Sequence, residues 1–248
     1  MRLERSFIQF DGIGERTERS LWEAGVTDWR RDVAGADIGP SRRTAVERGA
    51  AKAETALDRG NPRYFDDRLP SAERWRLLES FRDDLVALDI ETTGLDRRRD
   101  VVTTVTVHGR GRTETFVRGI DLTPDALRGA IPSGSVLVTF NGARFDVPFL
   151  RTQLGVELDL PHVDLLYPTR RLGWRGGLKA VEDELGIDRE LPDVDGREAV
   201  RLWREYESGR DGALDRLIAY NVEDTRNLLE LADRSVSALD EAVLNPYL

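Results

Sequence analysis

The spacing of apolar residues changes twice along the chain. Up to residue 60 it is helical. After a tight turn at Asp11-Gly12-Ile13-Gly14, a helix is expected from Glu15 to Ala24, with Leu21 and Ala24 apolar and Gly25 as its stop. A second helix is expected from Ser41 to about Leu57. Gly60-Asn61-Pro62 then interrupts the pattern. Ser71, following Pro70, reads as the N-cap of a helix through Phe81 that buries Trp75, Leu77, Leu78 and Phe81.

From residue 85 the period shortens. Leu85–Glu91 is a mostly apolar run closed by Thr-Thr-Gly, as in a central strand. Val101–Val107 alternates Val and Thr, and Gly109-Arg110-Gly111 turns it into Thr113–Val117, which predicts a hairpin. Pro124–Ile131 reads as a short helix, Ser135–Phe140 as a buried strand, Phe145–Leu154 as a helix and Val163–Leu166 as a short strand. Helices are expected over Leu178–Leu185, Arg197–Glu207 and Leu214–Arg234. Strands followed by helices predict an α/β fold, a mixed sheet flanked by helices. The expected organisation is a small all-α domain over 1–60, a linker over 61–75, the main domain over 76–235 and a tail over 236–248.

Composition narrows the classes. With 40% hydrophobic residues in 248, the chain can bury a core. It has no apolar run long enough to span a membrane, and its charged start, MRLERSFIQF, lacks the apolar stretch of a signal peptide. The absence of cysteine excludes disulfides, zinc fingers and thiol catalysis. A cytoplasmic protein is expected. The net charge is −9, with only two lysines, Lys52 and Lys179, and 26 Asp against 20 Glu. That bias fits a salt-accumulating halophile, or simply a high-GC genome. Residues 1–60 hold 11 basic and 11 acidic side chains, so the remainder carries the whole excess. Binding to nucleic acid would therefore be local, or would depend on metal and salt.

Candidate chemistry lies in three places. Asp89 and Glu91, two apart on a strand, leave it on the same face. Chance alone gives about eight acidic pairs at this spacing, so the apolar context carries the weight. A carboxylate inside such a strand needs a partner, no Lys or Arg adjoins it on that strand, and a metal ion is the natural one. Asp146 follows a strand and a turn in Phe140-Asn141-Gly-Ala-Arg-Phe145-Asp146; alone it is also an ordinary first-turn Asp. Tyr220 and Asp224, four apart, share one face of a helix.

In this order, Asp-x-Glu, Asn-x-x-x-Phe-Asp and Tyr-x-x-x-Asp resemble the three motifs of the DEDD group, the DnaQ-like, RNase H-like 3′–5′ exonucleases. Tyr220 matches the tyrosine subclass; the histidine subclass would place His where this chain has Ala219. The resemblance spans roughly residues 76–232. His162-Val-Asp164-Leu-Leu-Tyr and Gly176-Gly177-Leu178-Lys179 look like the YprB-like branch of predicted nucleases. The resemblance implies two divalent cations, Mg²⁺ or Mn²⁺, held by Asp89, Glu91, Asp146 and Asp224. Asp89 would bridge both ions, Glu91 and Asp224 would hold the one that activates water, Asp146 would act mainly through the second, and Tyr220 would orient the water. It also implies DNA or RNA substrates entering as single-stranded 3′ ends, with Thr92, Asn141 and Phe145 as contacting or shaping residues; Lys179 reads either as a phosphate contact or as an ordinary helix-surface lysine. Asp164 reads either as support for the site or as a strand-end cap on a loop. His108 and His162, at strand ends, are expected to be structural.

Ile8 through Val26, around Gly12-Ile13-Gly14, looks like a helix–hairpin–helix unit, whose backbone N–H groups hold a DNA phosphate without reading sequence. Ile38-Gly39-Pro40-Ser41-Arg42-Arg43 is a weaker echo, and Arg16, Arg42 and Arg43 would add phosphate contacts. The alternative is a helical bundle docking on a partner or on the chain's own nuclease domain. The functional alternative is an inactive nucleic-acid-binding module; all four carboxylates and the tyrosine are present, which favours activity. No P-loop signature occurs.

Overall fold

The computed structural model describes residues 1–248. Its helices are α1 (Glu15–Glu23), α2 (Pro40–Asp58), α3 (Pro62–Asp66), α4 (Leu77–Ser80), α5 (Pro124–Ala130), α6 (Asp146–Leu154), α7 (Leu166–Arg171), α8 (Leu178–Leu185), α9 (Gly196–Glu207) and α10 (Ala213–Val243). Five strands, β1 (Leu85–Thr92), β2 (Val102–Gly109), β3 (Arg112–Val117), β4 (Val136–Thr139) and β5 (His162–Asp164), form one sheet in the order β3-β2-β1-β4-β5. β1, β2 and β3 pair antiparallel, whereas β1–β4 and β4–β5 are parallel. No helix is long and apolar enough to cross a membrane.

The central strand is covered on both faces, and its alternation sorts the two. Val86, Leu88 and Ile90 pack with Leu127 of α5 and Phe149 and Leu150 of α6. Leu85 and Ala87 pack with Leu228, Leu231 and Ala232 of α10. Period two therefore continues Asp89 and Glu91 onto the α10 face. A register shift between Glu91 and Thr92 ends regular pairing just beyond them.

Three elements depart from the reading of the sequence. Ser71–Arg76 is a 3₁₀ helix with no side-chain cap, followed by the short α4, so there is no continuous helix from 71 to 81. The tighter pitch eclipses residues three apart, and Glu73 thereby meets the fully buried guanidinium of Arg76 at 2.9 Å. Residues 61–75, expected to be a linker, are folded: they contain α3 and bury Phe65, Leu69 and Trp75. Beyond residue 235, α10 continues to Val243, burying Val236 and Leu239, and Asp240 receives the Met1 ammonium at 2.6 Å.

These departures share one cause. Phe7, Leu21, Trp22 and Trp29 of the N-terminal segment lie in the same apolar cluster as Trp75, Leu77, Leu85, Val136 and Leu228. Arg76 ties the segment further, donating to Glu18 of α1 at 2.9 Å on both branches. Glu18 itself is only 1% exposed.

Candidate metal centre

β1 and α10 bring the acidic motifs together. Asp89, Glu91 and Asp224 each offer a carboxylate oxygen, all within 4.8 Å of one another. Asp146 opens α6, buried, and lies close enough for its charge to act on Asp89 and Glu91. Glu91 is 8% exposed and meets no hydrogen-bond donor. The donors are all oxygen, the charges are alike, and one buried carboxylate has no partner. That set fits a hard divalent cation.

The electrostatics follow from burial. Burial, then the charges of Asp146, Asp224 and Glu91, hold the Asp89 carboxyl well above the usual range. Burial, then Asp224 and Asp146, does the same to Glu91. Asp146 is pushed up to about 7, chiefly by burial and partly opposed by backbone hydrogen bonds. Burial and the neighbouring Asp224 raise Tyr220, so its hydroxyl stays protonated and serves as a hydrogen-bond donor.

Residues not singled out from the sequence complete the centre. Asn221, fully buried, donates from Nδ2 to Asp89 Oδ2 at 2.7 Å. Its Oδ1 accepts from Thr104 Oγ1 at 3.0 Å and from Thr106 Oγ1 at 2.8 Å. Those threonines are the cross-strand partners of Glu91 and Asp89, so the Val/Thr alternation of β2 held the signal. Arg189 reaches in from the α8–α9 connection. Its guanidinium pairs with Asp224 and with the fully buried Glu182, lies 3.4 Å from Glu223, and sits 5.5 Å from the Tyr220 ring centroid. Nothing in the sequence near Arg189 marks it as part of the centre.

The loop into α6 is built by its backbone. Asn141 adopts a left-handed conformation at φ +62°, and a Cβ on Gly142 would come within 2.4 Å of the Thr139 hydroxyl oxygen. Asp164 accepts from the N–H groups of Asn141 at 2.7 Å, Ala143 at 3.1 Å and Leu166 at 3.0 Å, so it caps the loop. His162 and His108 bond to Thr139 and Thr113, each at 2.8 Å, and are structural.

A cleft of about 630 Å³ adjoins the carboxylates, lined by Glu91, Thr92, Leu95 and Phe145 and, across from them, by Arg197 and Arg204 of α9. Leu95 is 86% exposed there. Lys179 is absent from this lining; its ammonium donates to the Pro192 carbonyl. The N-terminal candidates lie elsewhere. Gly12 and Gly14 precede α1, and Arg16 is exposed on its first turn. Arg42 donates to the Gly12 carbonyl at 3.0 Å and Arg43 to Ala36 at 3.2 Å. The element before the Gly12 turn is only a 3₁₀ turn, Leu3–Arg5, in place of the first helix of a helix–hairpin–helix.

Residues 86–236 match a family model described as the RNase_H superfamily. No curated protein matches the sequence. Among solved structures, the chain is similar to the family B DNA polymerase of Pyrobaculum calidifontis, with 21% identity and a TM-score of 0.46, covering 66% of this chain and 26% of the polymerase. It is also similar to Brucella melitensis NrnC, with 20% identity and a TM-score of 0.44, covering 68% of this chain and 81% of NrnC. The RRP6 catalytic core of Trypanosoma brucei has 14% identity and a TM-score of 0.44, covering 70% and 46%. Likenesses this distant carry no functional weight.

Proposed function

This chain belongs to the RNase H superfamily, and from that premise we propose that it is a metal-dependent nuclease, a 3′–5′ exonuclease of DNA or RNA. The observation that carries this reading is the meeting of Asp89, Glu91 and Asp224 within 4.8 Å, with Asp146 beside them. Two Mg²⁺ or Mn²⁺ ions would be held by these four residues. When bound, they would neutralise the carboxylates and supply a polarised water and charge stabilisation at phosphorus.

The remaining roles belong to the chain's own groups. Asn221 fixes the Asp89 carboxylate in one orientation. Tyr220 would position a water by its hydroxyl; because that hydroxyl stays protonated, it is not available as the base. Arg197 and Arg204 line the cleft and meet the phosphates of an incoming strand. Leu95 and Phe145 offer apolar surface to its terminal base.

The direct test is digestion of end-labelled DNA and RNA with Mg²⁺ or Mn²⁺, at low and at molar salt. A ladder shortening from the 3′ end is expected, with Asp89→Asn inactive yet folded. Full activity in Asp89→Asn would end the metal reading.

A further inference from the structure

A second cleft lies in the N-terminal segment, between residues 9–11 and α2. It encloses about 360 Å³, and Gln9, Asp11, Arg48, Lys52, Tyr64 and Arg68 are among its lining. None of these residues borders the carboxylate cleft. Its wall is tight: a Cβ on Gly49 would come within 2.3 Å of the Phe10 ring, so α2 and the turn meet in a fixed contact.

Two independent features point to a ligand. Gln9 is 3% exposed, and neither its Nε2 nor its Oε1 has a hydrogen-bond partner. A buried amide left wholly unpaired is rare, and each such group calls for an explanation. Beside it, Arg48, Lys52 and Arg68 have no carboxylate partner in a chain of net charge −9 that pairs many of its arginines. Asp11 is the single opposing charge in the lining. The Arg68 guanidinium lies 3.8 Å from the Tyr64 ring centroid, which holds it at the cleft.

We propose that this cleft binds a nucleotide unit, with its phosphate on Arg48, Lys52 and Arg68 and its base edge on the Gln9 amide. A simple anion would satisfy the cations and leave Gln9 unpaired, because that amide needs both an acceptor and a donor opposite it. A base supplies both. An adjoining cleft shares Lys52 and Tyr64 and runs on to Thr55 and Arg59. Residues 48, 52 and 55 follow one face of α2, and Arg59 is its C-cap; together they span about 16 Å, long enough for more than one unit of a strand. The site uses no residue of the carboxylate centre, so the two readings can fail separately.

The test uses the full chain in EDTA, where nothing is cleaved and the uncompensated carboxylates repel phosphate. Two probes distinguish the sources: AMP by calorimetry, and a labelled single-stranded 10-mer by fluorescence anisotropy. Arg48→Ala with Lys52→Ala should weaken binding about 10-fold or more and flatten the salt slope of the 10-mer by about 1.4. Gln9→Leu should weaken binding while the melting temperature holds or rises, which a merely structural glutamine would not do. Saturable AMP binding lost in these variants assigns the site to a free nucleotide; loss confined to the 10-mer assigns it to a strand. Unchanged binding of both probes in the Arg48/Lys52 variant overturns the proposal. So does displacement of the probes by polyglutamate as readily as by unlabelled 10-mer.

Discussion

Asn221 holds Asp89 across the gap between α10 and β1, donating from Nδ2 to Oδ2 at 2.7 Å, while two threonine hydroxyls fix its other end. Such outer contacts commonly set metal affinity by orienting a ligand. Asn221→Leu is therefore expected to cut activity or metal affinity about 10- to 100-fold. It also strands the Thr104 hydroxyl, at roughly 1–3 kcal/mol, whereas the Thr106 hydroxyl keeps Thr115 at 2.8 Å. Metal titration and denaturant melts of the variant check both; unchanged metal affinity would mean Asn221 is only a packing residue.

The pH dependence of stability should be inverted relative to a salt-bridged carboxylate. Asp146 titrates near 7 in the folded chain and near 4 when unfolded. Its penalty is absent below about pH 4, where both states are protonated, and complete once the folded form ionises above about 7. Asp89 and Glu91 are shifted in the same direction. The metal-free protein should lose melting temperature as pH rises from 5 to 8. Mn²⁺ should restore more at pH 8 than at pH 5, and Asp146→Asn should flatten the profile. Melts in EDTA and in Mn²⁺ measure this.

Arg189 neutralises both Asp224 and a glutamate with no solvent access, Glu182. Arg189→Met leaves that buried charge unpaired and should cost about 3–5 kcal/mol. Adding Glu182→Gln removes the stranded charge and should recover part of the loss. Denaturant unfolding of both single variants and the double variant gives the coupling; strict additivity would show that the pair is not coupled.

Removing residues 1–60 should abolish independent folding. The deletion strips Phe7, Leu21, Trp22 and Trp29 from a cluster they share with Trp75, Leu77 and Leu85, and takes Glu18 from Arg76. Breaking the Arg76 pair alone is expected to cost roughly 3–5 kcal/mol. Circular dichroism and size-exclusion chromatography of residues 61–248 check this. A compact, cooperatively melting fragment would refute the shared core.

Much of this was legible in the residues themselves, because local physics dictates it. The apolar run Leu85–Glu91, closed by Thr-Thr-Gly, read as a central strand, and its period of two put Asp89 and Glu91 on one face. The hairpin at Gly109-Arg110-Gly111 and the helix over Leu178–Leu185 were read from side-chain periodicity and turn residues. What tertiary structure alone decided were relations between residues far apart in the chain. Arg189 on Asp224, Asn221 on Asp89 and Arg76 on Glu18 span 35, 132 and 58 positions. An arginine or an asparagine looks the same in a sequence whether it faces water or a carboxylate. Only packing removes the water, and removing it is what makes these partners obligatory.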